Sequence, residues 1–480
     1  MRVKFMLLKV TGKLAAMNTV FQFPLLDLPN ELIALVIEQV DNRTTLRKLS
    51  RTCRRVQELT EPVLYRYALV SSRAHTRDLL HSLRSRSTRG SARAKALHTL
   101  DVPCNWRQEQ SFADLARLLE SAIHLKRLMI EAPECNHGEF EDADHYEEMT
   151  AALLRPFETA VANDQDQKPL QKLQELVLHL NGPESPYWSV DERSICLFML
   201  PSLQRLKLSC VNIEDDAAKG VDRKMFTSLK HLVIEEANIT HRGLMGILSL
   251  PQSLETLYLG ENCHNIDQFA DKINPAANHL FNNNPAAALE AIGQQKSSLR
   301  ELVYVTPERN GWSRKVPKRS AVDAGFANFH YLESITLHGT CVNFERAVVS
   351  SRSPPMLKEL IYKTDNMFWS PIMDSAPEIV LSLLPFVRAP SSSLPTTLEK
   401  LRIISNKQHV NSSIRQNVRA AAKILEKHGV VFQVAFETRS SYFPPYLYGE
   451  PLPVINTIFD GKRFDVPEEP VRRMWAMVED

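Results

Sequence analysis

The sequence predicts an α/β fold: a short N-terminal unit of three helices, then a solenoid whose curved parallel sheet carries helices on its outer side. Two patterns predict it. One hexapeptide (apolar, two variable, apolar, one variable, apolar) recurs ten times. Ahead of its first copy, residues 23–70 carry apolar side chains at helical rather than strand spacing.

A chain of 480 residues has room for two or three domains or one long repeat array, and for a large core. Hydrophobic content of 44% and charged content of 24% are ordinary for a globular protein. Lys+Arg at 58 against Asp+Glu at 56 argues against a chain that coats nucleic acid. No run of about 18 apolar residues exists to span a membrane. The seven cysteines are scattered without a C-x-x-C pair, which excludes a regular disulfide framework or structural zinc site and fits the cytosol or nucleus. The first 16 residues are basic and apolar. They resemble a targeting peptide but lack a clear cleavage site, so a flexible lead-in over 1–22 is preferred, with Met17 an alternative start.

In the helical unit, Asn30 is placed to cap a first helix, with Glu31 favourably sited for its dipole. Leu32, Ile33, Val36, Ile37 and Val40 give that helix one strongly apolar face. Leu46, Leu49 and Cys53 mark a second helix, and Val56, Leu59, Val63 and Leu64 a third, irregular near Pro62. About 45 residues cannot bury such faces internally, so a partner surface is expected. Residues 71–96, rich in Ser and Arg, read as a solvated linker with a helix at Thr76–Leu83.

The ten hexapeptides begin at Leu97, Leu125, Leu173, Leu203, Leu229, Leu254, Leu299, Leu332, Leu357 and Leu398. Five of the nine intervals fall between 25 and 30 residues. A single copy means little, because amphipathic helices produce it freely; ten in order do not arise that way. The spacing lies at or just above the leucine-rich-repeat range. Each hexapeptide is then a strand whose alternate leucines face a common core, followed by a turn and a helix that returns outside. The Asn usual after such strands stands at Asn105, Asn181 and Asn262, whereas Val211, Ala237 and Thr340 occupy its place elsewhere. The long intervals hold insertions: acidic at 134–148, Asn/Ala-rich at 274–291, Pro/Ser-rich at 370–395. Val418–Lys427 reads as a last helix stopped by His428-Gly429, and Val430–Phe436 as a last strand that begins the terminal cap. The aromatic tail after it is expected to pack on the solenoid.

Leu28-Pro29-x-Glu31-Leu32, Ile37, Leu46, Leu49-Ser50, Cys53-Arg54 and the Pro62-x-Leu64-Tyr65 ending resemble the F-box, with a departure at Val56 where an aromatic residue is frequent. An F-box followed by leucine-rich repeats is a known arrangement, and the aromatic, proline-rich ending resembles fungal members. The resemblance divides the chain into an extension (1–22), F-box (23–70), basic helical linker (71–96), leucine-rich-repeat solenoid (97–437) and C-terminal cap and tail (438–480). It implies a non-catalytic substrate receptor of an SCF-type cullin ubiquitin ligase. Leu28, Pro29, Leu32, Ile37, Leu46 and Leu49 would be the apolar set that meets the Skp-type adaptor or supports that contact, and the cullin would bring the RING subunit and the charged conjugating enzyme. Rate enhancement would come from proximity. No cofactor, metal, nucleic acid or membrane is implied, and the target protein leaves no trace in one sequence. The alternative reading is a leucine-rich-repeat scaffold acting outside ubiquitination; a third, GTPase activation through an arginine, has no arginine singled out for it.

Strand positions between the inward leucines face the concave side. They carry Arg127, Arg205, Lys207, Lys363, Lys400 and Arg402 against Asp101, Glu131, Glu175, Glu235, Glu301 and Glu359. Such a balance makes no phosphate-binding stripe. Ten strands about 4.8 Å apart offer an arc of about 45 Å, enough for a folded domain or an extended peptide. Arg205 with Lys207, and Lys400 with Arg402, are candidates to meet an acidic or phosphorylated motif, although solvated strand edges are the preferred reading of either pair. Cys135, His137 and His145 lack the geometry of a metal site, and Cys263-His264 are chain neighbours that point apart. Ser313–Ser320 has the composition of a nuclear import signal, but an exposed basic loop is preferred.

Overall fold

Helical spacing produces helices where it occurs: α1 (Asn30–Glu38), α2 (Arg43–Leu49) and α3 (Arg54–Tyr65). The computed structural model describes residues 25–103, 112–132, 143–162, 168–180, 187–221, 227–262, 277–306, 325–339, 341–349, 353–364, 397–405, 412–438 and 445–464. The N-terminal extension, Asn105, Asn181, Thr340, Cys135, His137, Cys263, His264 and Ser313–Ser320 lie outside them.

Ile33, Ile37, Leu46, Leu49 and Val56 close a small core between the three helices. Asn30 is the first residue of α1 rather than its cap; Pro29 precedes it, and the Asn30 Oδ1 accepts from Arg55 Nε at 2.7 Å. Asn42 caps α2 by accepting the Thr45 N–H. α3 continues through Pro62, so the irregularity expected there does not break it.

The sheet begins before residue 97. Its first strand, β1 (Tyr67–Leu69), pairs in parallel with β2 (Thr99–Val102), and α4 (Arg73–Arg84) and α5 (Thr88–Ala96) stand between them in the chain. The stretch read as a linker is thus two helices of the first repeat. Arg93 of α5 grips Glu61 of α3 through two N–H donors, at 2.8 and 3.1 Å, and lies over the Tyr65 ring.

Each hexapeptide is a strand. After β2 come α6 (Phe112–Ser121), β3 (Arg127–Glu131), α7 (Ala143–Val161), β4 (Glu175–His179) and the short β5 (Trp188–Val190). Next are β6 (Arg205–Ser209), β7 (Val211–Ile213), β8 (His231–Ile239), α8 (His241–Leu248) and β9 (Thr256–Glu261). The chain continues through α9 (Leu280–Asn283), α10 (Pro285–Gly293), β10 (Glu301–Val305), β11 (Ser334–His338), α11 (Val342–Val349), β12 (Glu359–Thr364) and β13 (Lys400–Ser405). It ends with α12 (Ser412–Glu426), β14 (Val431–Glu437), β15 (Ile455–Asp460) and β16 (Arg463–Phe464). The sheet follows chain order from β1 to β16, with β5 and β7 forming a second row beside β8. All pairs are parallel up to β14; β15 and β16 add antiparallel and end the array. A constant register keeps the leucines in line, so Leu128 pairs with Leu176 and Leu176 with Leu206. One continuous core results.

The asparagine positions differ from the simple count. Cys210 and Glu236 adopt left-handed backbone (φ 52 and 51), and the β8–β9 register shifts between Ile234 and Ala237. The extra residue moves the asparagine one place on, to Asn212 and Asn238. Asn238 donates to Asn212 Oδ1 at 2.8 Å and accepts from Asn262 at 2.9 Å and Asn278 at 2.8 Å. This buried ladder supplies polar partners that the turns would otherwise lack. Nearby, the buried Glu261 carboxylate accepts the His279 and Leu280 N–H groups at the start of α9 and the Tyr304 hydroxyl at 2.8 Å.

Candidate protein-interaction surfaces

The helical unit satisfies its own core and still presents apolar side chains outward. Leu26 is 51% exposed, Leu32 45% and Leu35 56%. The six residues expected to form an adaptor-facing or supporting set separate into two groups. Ile37, Leu46 and Leu49 are interior; Pro29 and Leu32 are exposed; Leu28 is half-buried against the small core. Leu35 stands one turn from Leu32 on α1 and is exposed with it, and Leu26 is exposed in the turn that precedes the helix. Helical periodicity shows that a face is apolar, but a helix packed on one side by α2 and α3 can carry apolar residues on two faces. Arg55 of α3 fixes the approach to this patch: besides Asn30 it donates to the Leu26 and Leu28 carbonyls, at 2.6 and 2.7 Å.

The unit is tied to the sheet. Arg43 of α2 donates to the Tyr67 carbonyl at 2.9 Å and lies over the Tyr67 ring; Arg66 pairs with Glu38 at 2.9 Å.

On the concave side, strand register puts opposite charges next to each other. Arg127 lies 3.6 Å from Glu175, which lies 4.0 Å from Arg205. Lys207 meets Glu235 at 2.8 Å, Lys400 meets Glu359 at 3.3 Å, and Lys363 meets Glu437 at 2.8 Å. Arg402 donates to Thr457 of β15 at 3.1 Å. The four candidate target-contacting residues, Arg205, Lys207, Lys400 and Arg402, therefore each have an intramolecular partner, and the two pairs stand on separate strands, β6 and β13. Partly exposed pairs of this kind add little stability but neutralise the surface.

Between Lys207 and Arg402, in the same row, run Val233, Tyr258, Val303, Thr336 and Ile361. The members of this largely apolar row alternate with the inward leucines in the sequence. Within this row Val233 and Val303 are buried and Tyr258, Thr336 and Ile361 half-buried; one row on, His179, Ser209 and His338 are buried as well. Burial pulls the His179 imidazole down to about 3, and Lys207 adds to that effect.

Among the described residues no cluster of His, Cys, Asp and Glu could hold a metal, and no helix is long and apolar enough to cross a membrane. Burial pushes the Cys196 thiol up to about 12 and that of Cys210 well above its ordinary value, so both are held as neutral thiols.

A family model described as the leucine-rich repeats of an FBD-associated F-box protein matches residues 166–274, the span from β4 through β9. No curated protein sequence matches. Among solved structures, the leucine-rich repeat-containing protein LegL7 from Legionella pneumophila is similar, with 12% identity and a TM-score of 0.35 over 76% of this chain and 97% of that one. Residues 166–274 thus match leucine-rich repeats, and the same parallel strand arrangement runs on either side of them from β1 to β14.

Proposed function

We propose that this chain is the substrate-recognition subunit of an SCF-type cullin ubiquitin ligase. Its helical unit is an F-box that docks on a Skp-type adaptor, and its concave face receives the target protein. The observation that carries the reading is the outer patch of Leu26, Leu32 and Leu35 on a unit whose own core is already closed. Leu32 and Leu35, one turn apart on α1, share a helix face, and side chains exposed to this degree fit a partner's apolar surface. The half-buried Tyr258, Thr336 and Ile361 between neutralised charges on the concave side fit a protein target better than nucleic acid. In this reading the chain performs no chemistry and works in the cytosol or nucleus. It holds the target near the charged conjugating enzyme, so the contacts that couple the unit to the sheet (Arg93–Glu61, Arg66–Glu38 and Arg43–Tyr67) set the distance over which ubiquitin passes.

The test is a pull-down with recombinant Skp-type adaptor and cullin. Wild type is expected to be captured, and Leu32→Asp/Leu35→Asp to lose at least tenfold in adaptor affinity while keeping its thermal transition. Failure of folded wild type to bind the adaptor would overturn the proposal. Adaptor binding without cullin assembly would instead favour a scaffold acting outside ubiquitination.

A further inference from the structure

Every charged side chain placed on the concave face from the sequence has a partner within the chain, except one. Arg127 and Arg205 share Glu175, while Lys207 meets Glu235, Lys363 meets Glu437 and Lys400 meets Glu359. Asp101 lies 3.8 Å from Arg127, Glu131 accepts the Tyr448 N–H, and Arg402 donates to Thr457. Glu301 of β10 is the exception: among the described residues its carboxylate makes no hydrogen bond and no ion pair.

Strand register is the reason. It sets Glu301 between Thr256 and Ser334, which carry no charge. In the same row the lysine or arginine on either side is Arg205 of β6 or Lys400 of β13. Each stands three strand-to-strand steps from Glu301, about 14 Å at about 4.8 Å per step, and each is held by another carboxylate. That distance exceeds the Debye length of about 8 Å at physiological salt, so little compensation arrives through solvent. His231, nearer in the row, is kept neutral by burial, with Arg205 adding to the effect. Arg300, next to Glu301 in the chain, turns to Glu333 at 3.9 Å. Glu301 is itself half-buried, and burial raises its carboxyl above the ordinary range, helped by the like charge of Glu359. A half-buried carboxylate without a counter-ion costs the free chain stability.

The neighbours of Glu301 suit a donor. Ser334 and Thr336 lie on one face of β11, beside Glu301 and Val303 of β10. Both are half-buried, and neither hydroxyl has a hydrogen-bond partner among the described residues. Ile361, also half-buried, follows Thr336 on the next strand. On the other side the Tyr258 ring leans toward Gly260, where a Cβ would come to 3.2 Å of its Cε1, and so away from the Glu301 row.

We propose that Glu301, Ser334 and Thr336 form a subsite for a lysine or arginine side chain of the target protein, with an apolar neighbour of that residue resting on Ile361 and Tyr258. An ammonium brings three donors and a guanidinium five, enough for the carboxylate and both hydroxyls. The target's charge supplies the counter-ion that the strand register withholds. The proposal rests on reading the concave side as the receptor face, and it names the class of segment which that face selects: basic and apolar rather than acidic or phosphorylated.

The experiment selects displayed random dodecapeptides on the full chain and, in parallel, on Glu301→Gln and Glu301→Lys. Wild type is expected to enrich peptides that carry lysine or arginine beside an apolar residue. A peptide so selected is expected to bind Glu301→Gln about tenfold more weakly, and Glu301→Lys is expected to enrich aspartate and glutamate instead. A merely structural carboxylate is distinguished by the melting temperature. Glu301→Gln is expected to melt at or above wild type, because no group in the chain loses a partner. A lower melting temperature for Glu301→Gln, no basic enrichment on folded wild type, or equal binding of the selected peptide to wild type and Glu301→Gln would each overturn the proposal. The selection needs no adaptor, so its failure is separable from failure of the ligase reading.

Discussion

The Tyr67 hydroxyl lies 3.2 Å from that of Tyr448, 381 residues later in the chain. Tyr67 also accepts from Arg43 of the helical unit at its carbonyl, and its strand pairs with β2. One residue thus connects the helical unit, the first strands and the turn at Leu447–Glu450. In an open solenoid each repeat feels only its neighbours; here the two ends feel each other. Tyr67→Phe and Tyr448→Phe should therefore couple in a double-mutant cycle by about 0.5–1 kcal/mol, measured by urea unfolding. Additive effects would show that the hydroxyl contact is not formed in solution.

The division of the helical unit into interior and surface predicts opposite behaviour along one helix. Ile37→Ala should cost about 2–4 kcal/mol, because it opens a cavity in a core of few residues. Leu32→Ala and Leu35→Ala should each stay within about 0.5 kcal/mol. Hydrogen exchange over α1 reads both. Equal loss of protection in the three variants would mean that the outer patch is also packed within the chain.

Removing Asn238 should be among the most damaging single changes in the solenoid. Asn238→Ala strands the Asn262 and Asn278 amide donors and the Asn212 acceptor together. The expected cost is about 3 kcal/mol or more, since each orphaned buried group is expensive. Thermal unfolding checks it, with Asn212→Ala, nearer the edge of the ladder, expected to cost less.

His179 gives the fold a pH dependence of defined sign. Its imidazole is held neutral by burial and titrates at about 3, against 6.5 for the unfolded chain. Between those values the unfolded state binds the extra proton, so this contribution is complete above about pH 6.5 and is lost as pH falls toward 3. The loss from pH 7 to 5 is about 2 kcal/mol, and His179→Gln should remove that part of the slope. Urea titrations of both proteins at pH 7 and 5 measure it; parallel slopes would refute the assignment.

The sequence by itself determined the repeat. Ten hexapeptides became ten strands because alternate leucines bury on one face of a strand, and in-line leucines fix the register against one-residue slips. It also located the helical unit, whose periodicity is local. Tertiary structure alone decided which apolar residues lie inside: Ile37 and Leu32 belong to the same pattern, and only the placement of α2 and α3 separates them. It alone placed the ladder at Asn238 rather than Ala237, because the left-handed turn at Glu236 adds a residue that composition does not announce. It alone paired Lys207 with Glu235 and Lys400 with Glu359, whose opposition follows from strand register rather than from nearness in the chain. Above all it brought Tyr448 to Glu131, a contact set by the curvature that many small strand-to-strand rotations accumulate and that no local run of residues encodes.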